Sequence, residues 1–193
     1  MELKTYDEKR DFTSTSEPEF QKSKSEKGLK FVVQRHDASH LHYDFRLEMD
    51  GVLKSWAIPK GPSLNPKDKR LAIMVEDHPY DYRTFEGEIP EGNYGAGTVY
   101  IFDDGEYESS IEEHKNDEKL LLEGLKAGSL KFRLKGKILK GEFALIKLKN
   151  SDQDNWLLIK HKDEFAVSEK FEIEKFVPNK VKEKGKFFKQ KAV

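Results

Sequence analysis

The sequence predicts a mainly β protein built as a closed or nearly closed antiparallel barrel. Three observations lead there. Runs alternating polar with apolar residues recur at near-regular spacing, turn-forming residues separate them, and only one stretch carries convincing helical character. The strand-like text begins at "GLKFVVQR" (28–35) and continues in "LHYDFRLEM" (41–49), whose clean alternation suits a half-buried strand. Asp50-Gly51 separates that run from "VLKSWAI" (52–58). Asp-Gly between alternating runs is a strong hairpin signal, because both turn positions need positive φ. "PKGPSLNPKDK" (59–69) is a proline-rich loop and "RLAIMVED" (70–77) another strand.

The second half follows the same logic. "EGEIPEGNYGAG" (86–97) is a turn-rich connector whose glycines serve turns, with a ligand contact at the rim of a groove as the lesser reading. "TVYIFDDGEY" (98–107) is expected to be a strand with a turn at Asp104-Gly105. Residues 111–127 form the predicted helix, acidic early and capped by Gly128. "SLKFRLKG" (129–136), "KILKGEFALIKLK" (137–149) and "NWLLIKHKD" (155–163) complete the strands. Trp56 and Trp156 fall within apolar alternation and are expected in the core, whereas His40, His114 and His161 are expected at the surface. The expected organisation is a polar arm over residues 1–27, a barrel over 28–174 and a loosely attached lysine-rich tail over 175–193.

Composition narrows the class. Of 193 residues, 37% are charged and 36% hydrophobic, and 13 Phe with 7 Tyr argue against wholesale disorder. No apolar run approaches the ~18 residues of a membrane span, and the N-terminus lacks a secretory pattern, so a cytoplasmic protein is expected. Cysteine is absent, which excludes disulfides and thiol chemistry and leaves N and O ligands for any metal. The net charge of −1 excludes a bulk polycation, although seven Lys face only Glu183 between Lys175 and Val193. Nothing in the sequence marks an oligomer, so a monomer is the default.

The densest chemistry lies in "HDASHLHYDFR" (36–46). On a strand, His42, Asp44 and Arg46 share one face while Leu41, Tyr43, Phe45 and Leu47 share the other. His42 and Asp44 stand about 7 Å apart at Cβ, a gap one metal ion bridges. His36 is a third candidate ligand, and Arg46 would sit beside the ion, able to grip a phosphate oxygen. Glu76 and His78 again share a face after another strand. The pattern points to one pocket that is either a metallo-phosphoester site or the solvated strand face of a binding barrel.

These residues resemble a known family. "FVVQRHDASHLHYDFRLEMDGVLKSWAIPKGPSLNPKDKRLAIMVEDHPYDYRTFEGEIPEGNYGAGTVYIFDDGEY" is similar to the 3′-phosphoesterase domain of bacterial DNA ligase D and its stand-alone relatives. The likeness runs from "KRDF" near residue 9 to "NWLLIKHKDEFA" near 165. It implies a small antiparallel β-barrel with a polar crescent groove and one or two short helices. It implies a Mn²⁺-dependent enzyme, Co²⁺ or Zn²⁺ being the other candidate ions, that removes a 3′ ribonucleoside from a DNA primer-template end and then the 3′-phosphate, leaving a 3′-OH.

By that resemblance, His36, His42 and Asp44 are the metal ligands, and Arg46 and His78 engage the scissile phosphate. Gln34, Lys60, Arg70, Glu76 and Tyr82 match further active-site positions, and Arg10, Asp11 and Glu17 match arm residues that fold over the site. His78, with an ordinary pKa near ~6.5, is expected to protonate a leaving oxygen. The expected partners are DNA ends and separate ligase, polymerase and Ku proteins. The acidic helix is longer than the resemblance implies, and the lysine tail is expected to add attraction to DNA. The competing reading is a catalytically inactive barrel that binds DNA ends or a repair partner; a phosphodiesterase for small or RNA substrates is a third.

Overall fold

A computed structural model describes residues 4–111, 118–149 and 154–184. Ten strands form one antiparallel sheet: β1 (Leu29–Asp37), β2 (Leu41–Met49), β3 (Val52–Ile58), β4 (Lys69–Met74), β5 (His78–Pro79), β6 (Gly87–Ile89), β7 (Gly97–Ser109), β8 (Ser129–Lys135), β9 (Lys140–Lys147) and β10 (Asn155–Lys160). Eight of them close on themselves in the order β1-β2-β3-β4-β10-β9-β8-β7, with β7 returning to β1. β5 adds to β3 and β6 to β7 outside that circuit. Closure removes the unpaired edges that an open sheet would present. The helices are short: α1 (Lys4–Glu8), α2 (Glu118–Ala127) and a turn over 179–184. No helix among the described residues is long and apolar enough to cross a membrane.

The hairpin between β2 and β3 forms as its sequence predicts. Asp50 and Gly51 take φ of 55° and 72°, and Met49 pairs with Val52. That register fixes which side chains share a face. Phe31, Val33, Tyr43, Phe45, Leu47, Trp56 and Ile58 point inward and meet Phe132, Phe143, Leu145, Trp156 and Leu158 from the far wall. Trp56 and Trp156 pack edge to face with centroids 6.0 Å apart, in the core as expected. The alternate residues of β1 and β2 are buried too, beneath a second apolar cluster of Tyr6, Leu53, Tyr80, Tyr82, Phe85, Ile89 and Val99 on the outer face. The sheet is therefore covered on both sides here, and the polar residues of its outer face lie under that cover.

Three expectations need amendment. Asp104-Gly105 is not a turn: β7 runs unbroken from Gly97 to Ser109. The buried Asp103 carboxylate instead accepts the backbone N–H groups of Lys137, Ile138 and Leu139 at 2.9, 3.1 and 2.7 Å. Glycine is needed at 105 because any Cβ would collide with the Lys135 carbonyl. The expected helix does not include residue 111, which lies in a bend; its described part is Glu118–Ala127, and residues 112–117, including His114, lie outside the described residues. It ends as expected at Gly128, φ 76°. His40 is exposed as expected, and His161 is half-buried beside Glu142. The tail is not loose at its start, since Val177 and Val181 are buried with Phe171 and Ile173 against the barrel; residues 185–193 lie outside the described residues.

Asp103→Ala is expected to destabilise the fold by about 3 kcal/mol, because three backbone donors lose their buried acceptor. Urea unfolding measures this, and Asp103→Asn, which keeps one acceptor oxygen, is expected to lose less.

Candidate metal and phosphate site

Register brings the candidate residues together. His36 pairs with His42, Gln34 with Asp44, and Arg46 with Ser55, so all six share the outer face of β1, β2 and β3. The candidate ligand atoms of His36, His42 and Asp44 lie within 4.8 Å of one another. Nδ1 of His36 stands 3.4 Å from Asp44 Oδ2, and Nε2 of His42 stands 3.5 Å from Oδ1. The opposite ring nitrogens are both pinned: His36 Nε2 donates to the Gly95 carbonyl at 2.8 Å and His42 Nδ1 to the His40 carbonyl at 2.9 Å. A carbonyl only accepts, so those nitrogens carry the protons. The inner nitrogens of both rings thus face the Asp44 carboxylate, either as N–H donors to it or as lone pairs that, with the carboxylate, could hold a cation between them.

Arg46 is equally constrained. Its Nε donates to Gln34 Oε1 at 2.8 Å, Nη1 to Ser55 Oγ at 3.0 Å and Nη2 to Asp44 Oδ2 at 3.1 Å. Gln34 is itself oriented by donating to the Tyr82 and Phe85 carbonyls at 3.0 and 2.9 Å. Gln34 thus acts through Arg46. Burial works to raise the Asp44 carboxyl, but the Arg46 guanidinium and then His36 and His42 outweigh it and hold the group well below the usual carboxylate range.

The arm supplies the lid. Arg10 donates to Glu17 at 3.0 Å and to the Tyr6 carbonyl at 3.0 Å, and its Nη1 lies 3.5 Å from Glu76. Tyr82 OH donates to the same Glu17 at 2.9 Å, and burial pushes that hydroxyl well above its ordinary pKa. His78 Nδ1 donates to the Glu76 carbonyl at 2.9 Å, while Nε2 accepts from Arg10 Nη2 at 3.4 Å. Burial, then Arg46 and Arg10, push the imidazole well below its ordinary value. His78 is therefore held neutral as an acceptor. Protonating a leaving oxygen, the role expected for His78, needs a proton that burial and the two guanidinium groups disfavour in this arrangement. A cavity of about 300 Å³ opens between these groups, lined by Arg10, His36, His42, Asp44, Arg46 and His78 among others.

Not every candidate joins the cavity. Asp11 is exposed and accepts from Thr13, stabilising a turn of the arm. Lys60 is exposed in the turn after β3. Arg70 on β4 lies opposite the core residue Leu158 and donates to Asp68 at 2.8 Å, which places it on the barrel's inner row. None of the three lines the cavity. Sequence reasoning missed Ser55, Lys9, Tyr94 and Gly95. Ser55 follows from the hairpin register, whereas the others are brought in by loops whose paths have no local signature.

The profile of the DNA ligase D 3′-phosphoesterase domain matches residues 34–147. The chain is 47% identical over 183 residues to the multifunctional non-homologous end joining protein LigD of Pseudomonas aeruginosa, covering 93% of this chain and 21% of that protein. It is 42% identical over 163 residues to LigD of Mycolicibacterium smegmatis, covering 84% of this chain and 21% of that protein. It is 43% identical over 156 residues to LigD of Mycobacterium tuberculosis, covering 80% and 19%. The chain spans about a fifth of the length of these relatives.

The depressed pKa of His78 has a signed consequence. Below about pH 6.5 the unfolded chain takes up a proton that folded His78 refuses, so this contribution to stability is whole above that pH and is lost on acidification toward the folded pKa. His78→Gln is expected to lose less stability than the parent protein between about pH 7.5 and 5.5. In ¹⁵N-detected NMR, His78 is expected to remain an Nδ1–H tautomer at pH ~6; titration at the ordinary value would contradict the geometry.

Proposed function

Because the chain belongs to the DNA ligase D 3′-phosphoesterase domain family, we propose that it is a hydrolase of DNA 3′ ends serving end-joining repair. Two steps are assigned to it. Water cleaves the P–O5′ bond of a terminal ribonucleoside and leaves a 3′-phosphate. Water then cleaves the P–O3′ bond, releasing inorganic phosphate and a 3′-OH. The observation that carries this reading is the pair of imidazoles whose outer nitrogens are pinned to Gly95 and His40 while their inner nitrogens face Asp44.

That donor set fits a divalent transition-metal ion such as Mn²⁺, Co²⁺ or Zn²⁺; the assignment of Mn²⁺ among them rests on the family resemblance. Held by His36, His42 and Asp44, such an ion supplies charge neutralisation and polarisation of the phosphoryl group. The protein's own groups do the rest. Arg46, locked by Gln34, Ser55 and Asp44, presents a stationary cation toward the cavity and needs no reorganisation to meet developing negative charge. Arg10 can exchange its contacts to His78 and Glu76 for phosphate oxygens. The negative charge of a bound phosphate beside His78 opposes the burial and the Arg46 and Arg10 charges that disfavour its protonation, which suits His78 to share a proton with a leaving oxygen. Glu17 and Tyr82 position Arg10, and Glu76 anchors His78 through its carbonyl and Lys9 through its carboxylate.

Formal charge supports the assignment. Lys9, Arg10 and Arg46 balance Glu17, Glu76 and Asp44 in paired contacts. A divalent cation and a phosphomonoester dianion can enter together without upsetting that balance. DNA primer-template ends are the proposed partners, alongside ligase, polymerase and Ku functions of the same repair process.

Incubation with Mn²⁺ and a 5′-labelled primer-template ending in one 3′ ribonucleotide is expected to give a 3′-phosphate product and then a 3′-OH. A gel shift with no product would instead mark a binding barrel. His42→Ala is expected to lower turnover at least about a hundred-fold while the barrel stays folded. Arg46→Lys is expected not to restore activity, since an ammonium cannot reproduce the three-way fork.

A further inference from the structure

One aromatic ring at this site has no role in holding an ion or a phosphate. Tyr94 lies between β6 and β7 and lines the cavity, yet it is 48% exposed, whereas Tyr6 and Tyr82 are buried. The other large apolar side chains exposed among the described residues, Leu71, Ile111, Leu148, Phe165 and Phe176, do not line this cavity. An exposed ring at the mouth of a charged cleft is suited to a flat partner that arrives attached to a phosphate.

The loop that carries the ring is pinned. Asn93 N–H donates to the Pro90 carbonyl at 3.2 Å, Ala96 N–H donates to the Asn93 carbonyl at 3.1 Å, and Ser14 of the arm donates to Asn93 Oδ1 at 2.9 Å. Gly95, at φ 77°, turns its carbonyl onto His36. The position of the ring is thus tied directly to a candidate metal ligand, one residue away. Lys9 Nζ lies over the ring, 4.6 Å from its centroid, and Arg10 Cζ 5.6 Å, so Lys9 occupies one face of the ring and the opposite face is the one a base would stack on.

We propose that Tyr94 is a stacking platform for the nucleobase adjoining the scissile phosphate, with Lys9 beside it to meet a phosphate of the strand. This rests on the 3′-end reading above and names what distinguishes a DNA terminus from a small phosphate ester. Stacking on an aromatic ring tolerates any base, because every base has a π-face. A ring carried on a pinned loop leaves less backbone freedom to be lost on contact, which favours affinity.

The test is fluorescence of a DNA strand with 2-aminopurine as its terminal base and a 3′-phosphate, titrated with protein in EDTA so that turnover is absent. The parent protein is expected to quench the fluorophore. Tyr94→Ala is expected to bind roughly ten- to a hundred-fold more weakly and to lose the quenching, while Tyr94→Phe retains both. The Mn²⁺-dependent rise in melting temperature is expected to survive in Tyr94→Ala, since the Gly95 carbonyl remains. On a strand ending in an abasic nucleoside, Tyr94→Ala is expected to bind as the parent does. The proposal is overturned if the parent leaves the fluorescence unchanged, if Tyr94→Ala still quenches, or if its loss of affinity is equal on the abasic strand. Quenching without hydrolysis of any 3′ end would sink the catalytic reading and leave the platform standing. Hydrolysis with quenching indifferent to Tyr94 would do the reverse.

Discussion

The contact between Asp44 and Arg46 is the constraint around which the site is arranged. A buried carboxylate without a partner would take up a proton and lose its value as an anionic ligand. Arg46 keeps it ionised, but a guanidinium buried beside it needs its remaining donors satisfied. Gln34 and Ser55 satisfy them, and Gln34 needs the Tyr82 and Phe85 carbonyls to be oriented. One charge pair therefore dictates the residues on β1 and β3 and the path of the 3₁₀ turn at Tyr80–Thr84.

The second condition is cover on the outer face. A barrel wall ordinarily shows that face to water, and an Asp–Arg pair there would be screened and weak. Here Tyr6, Tyr80, Tyr82, Phe85 and Ile89 build an apolar roof over it, and the arm brings Arg10 and Glu17 beneath. The roof lowers the local dielectric and strengthens each electrostatic contact inside. It also explains why His78 is neutral: the burial that strengthens Arg46 and Arg10 makes a third cation beside them unfavourable.

Much of this was legible in the sequence wherever a period or a turn carried the information. Alternation placed His42, Asp44 and Arg46 on one face, and the Asp50-Gly51 turn fixed the register that puts Ser55 opposite Arg46. The same Asp-Gly signal misled at Asp104-Gly105, because glycine there answers to the Lys135 carbonyl and the aspartate to the Lys137–Leu139 backbone, both distant along the chain. The short motifs of the arm pointed correctly to Arg10 and Glu17 at the cavity, while Asp11, one residue along, turns outward to Thr13.

What the sequence by itself determined, then, was the strand pattern, the inward and outward faces, and the identity of three converging side chains able to ligate an ion, since these depend on side-chain alternation and on turns a few residues long. The tertiary structure alone decided which nitrogen of each histidine faces inward, whether His78 carries a proton, and which aromatic rings are roofed over or left at the mouth. Those outcomes depend on carbonyls and charges delivered from loops such as Gly95 and from the arm, 59 residues from His36 and 68 from His78 along the chain. No local period encodes them; only closure of the barrel brings those segments within a hydrogen bond of one another.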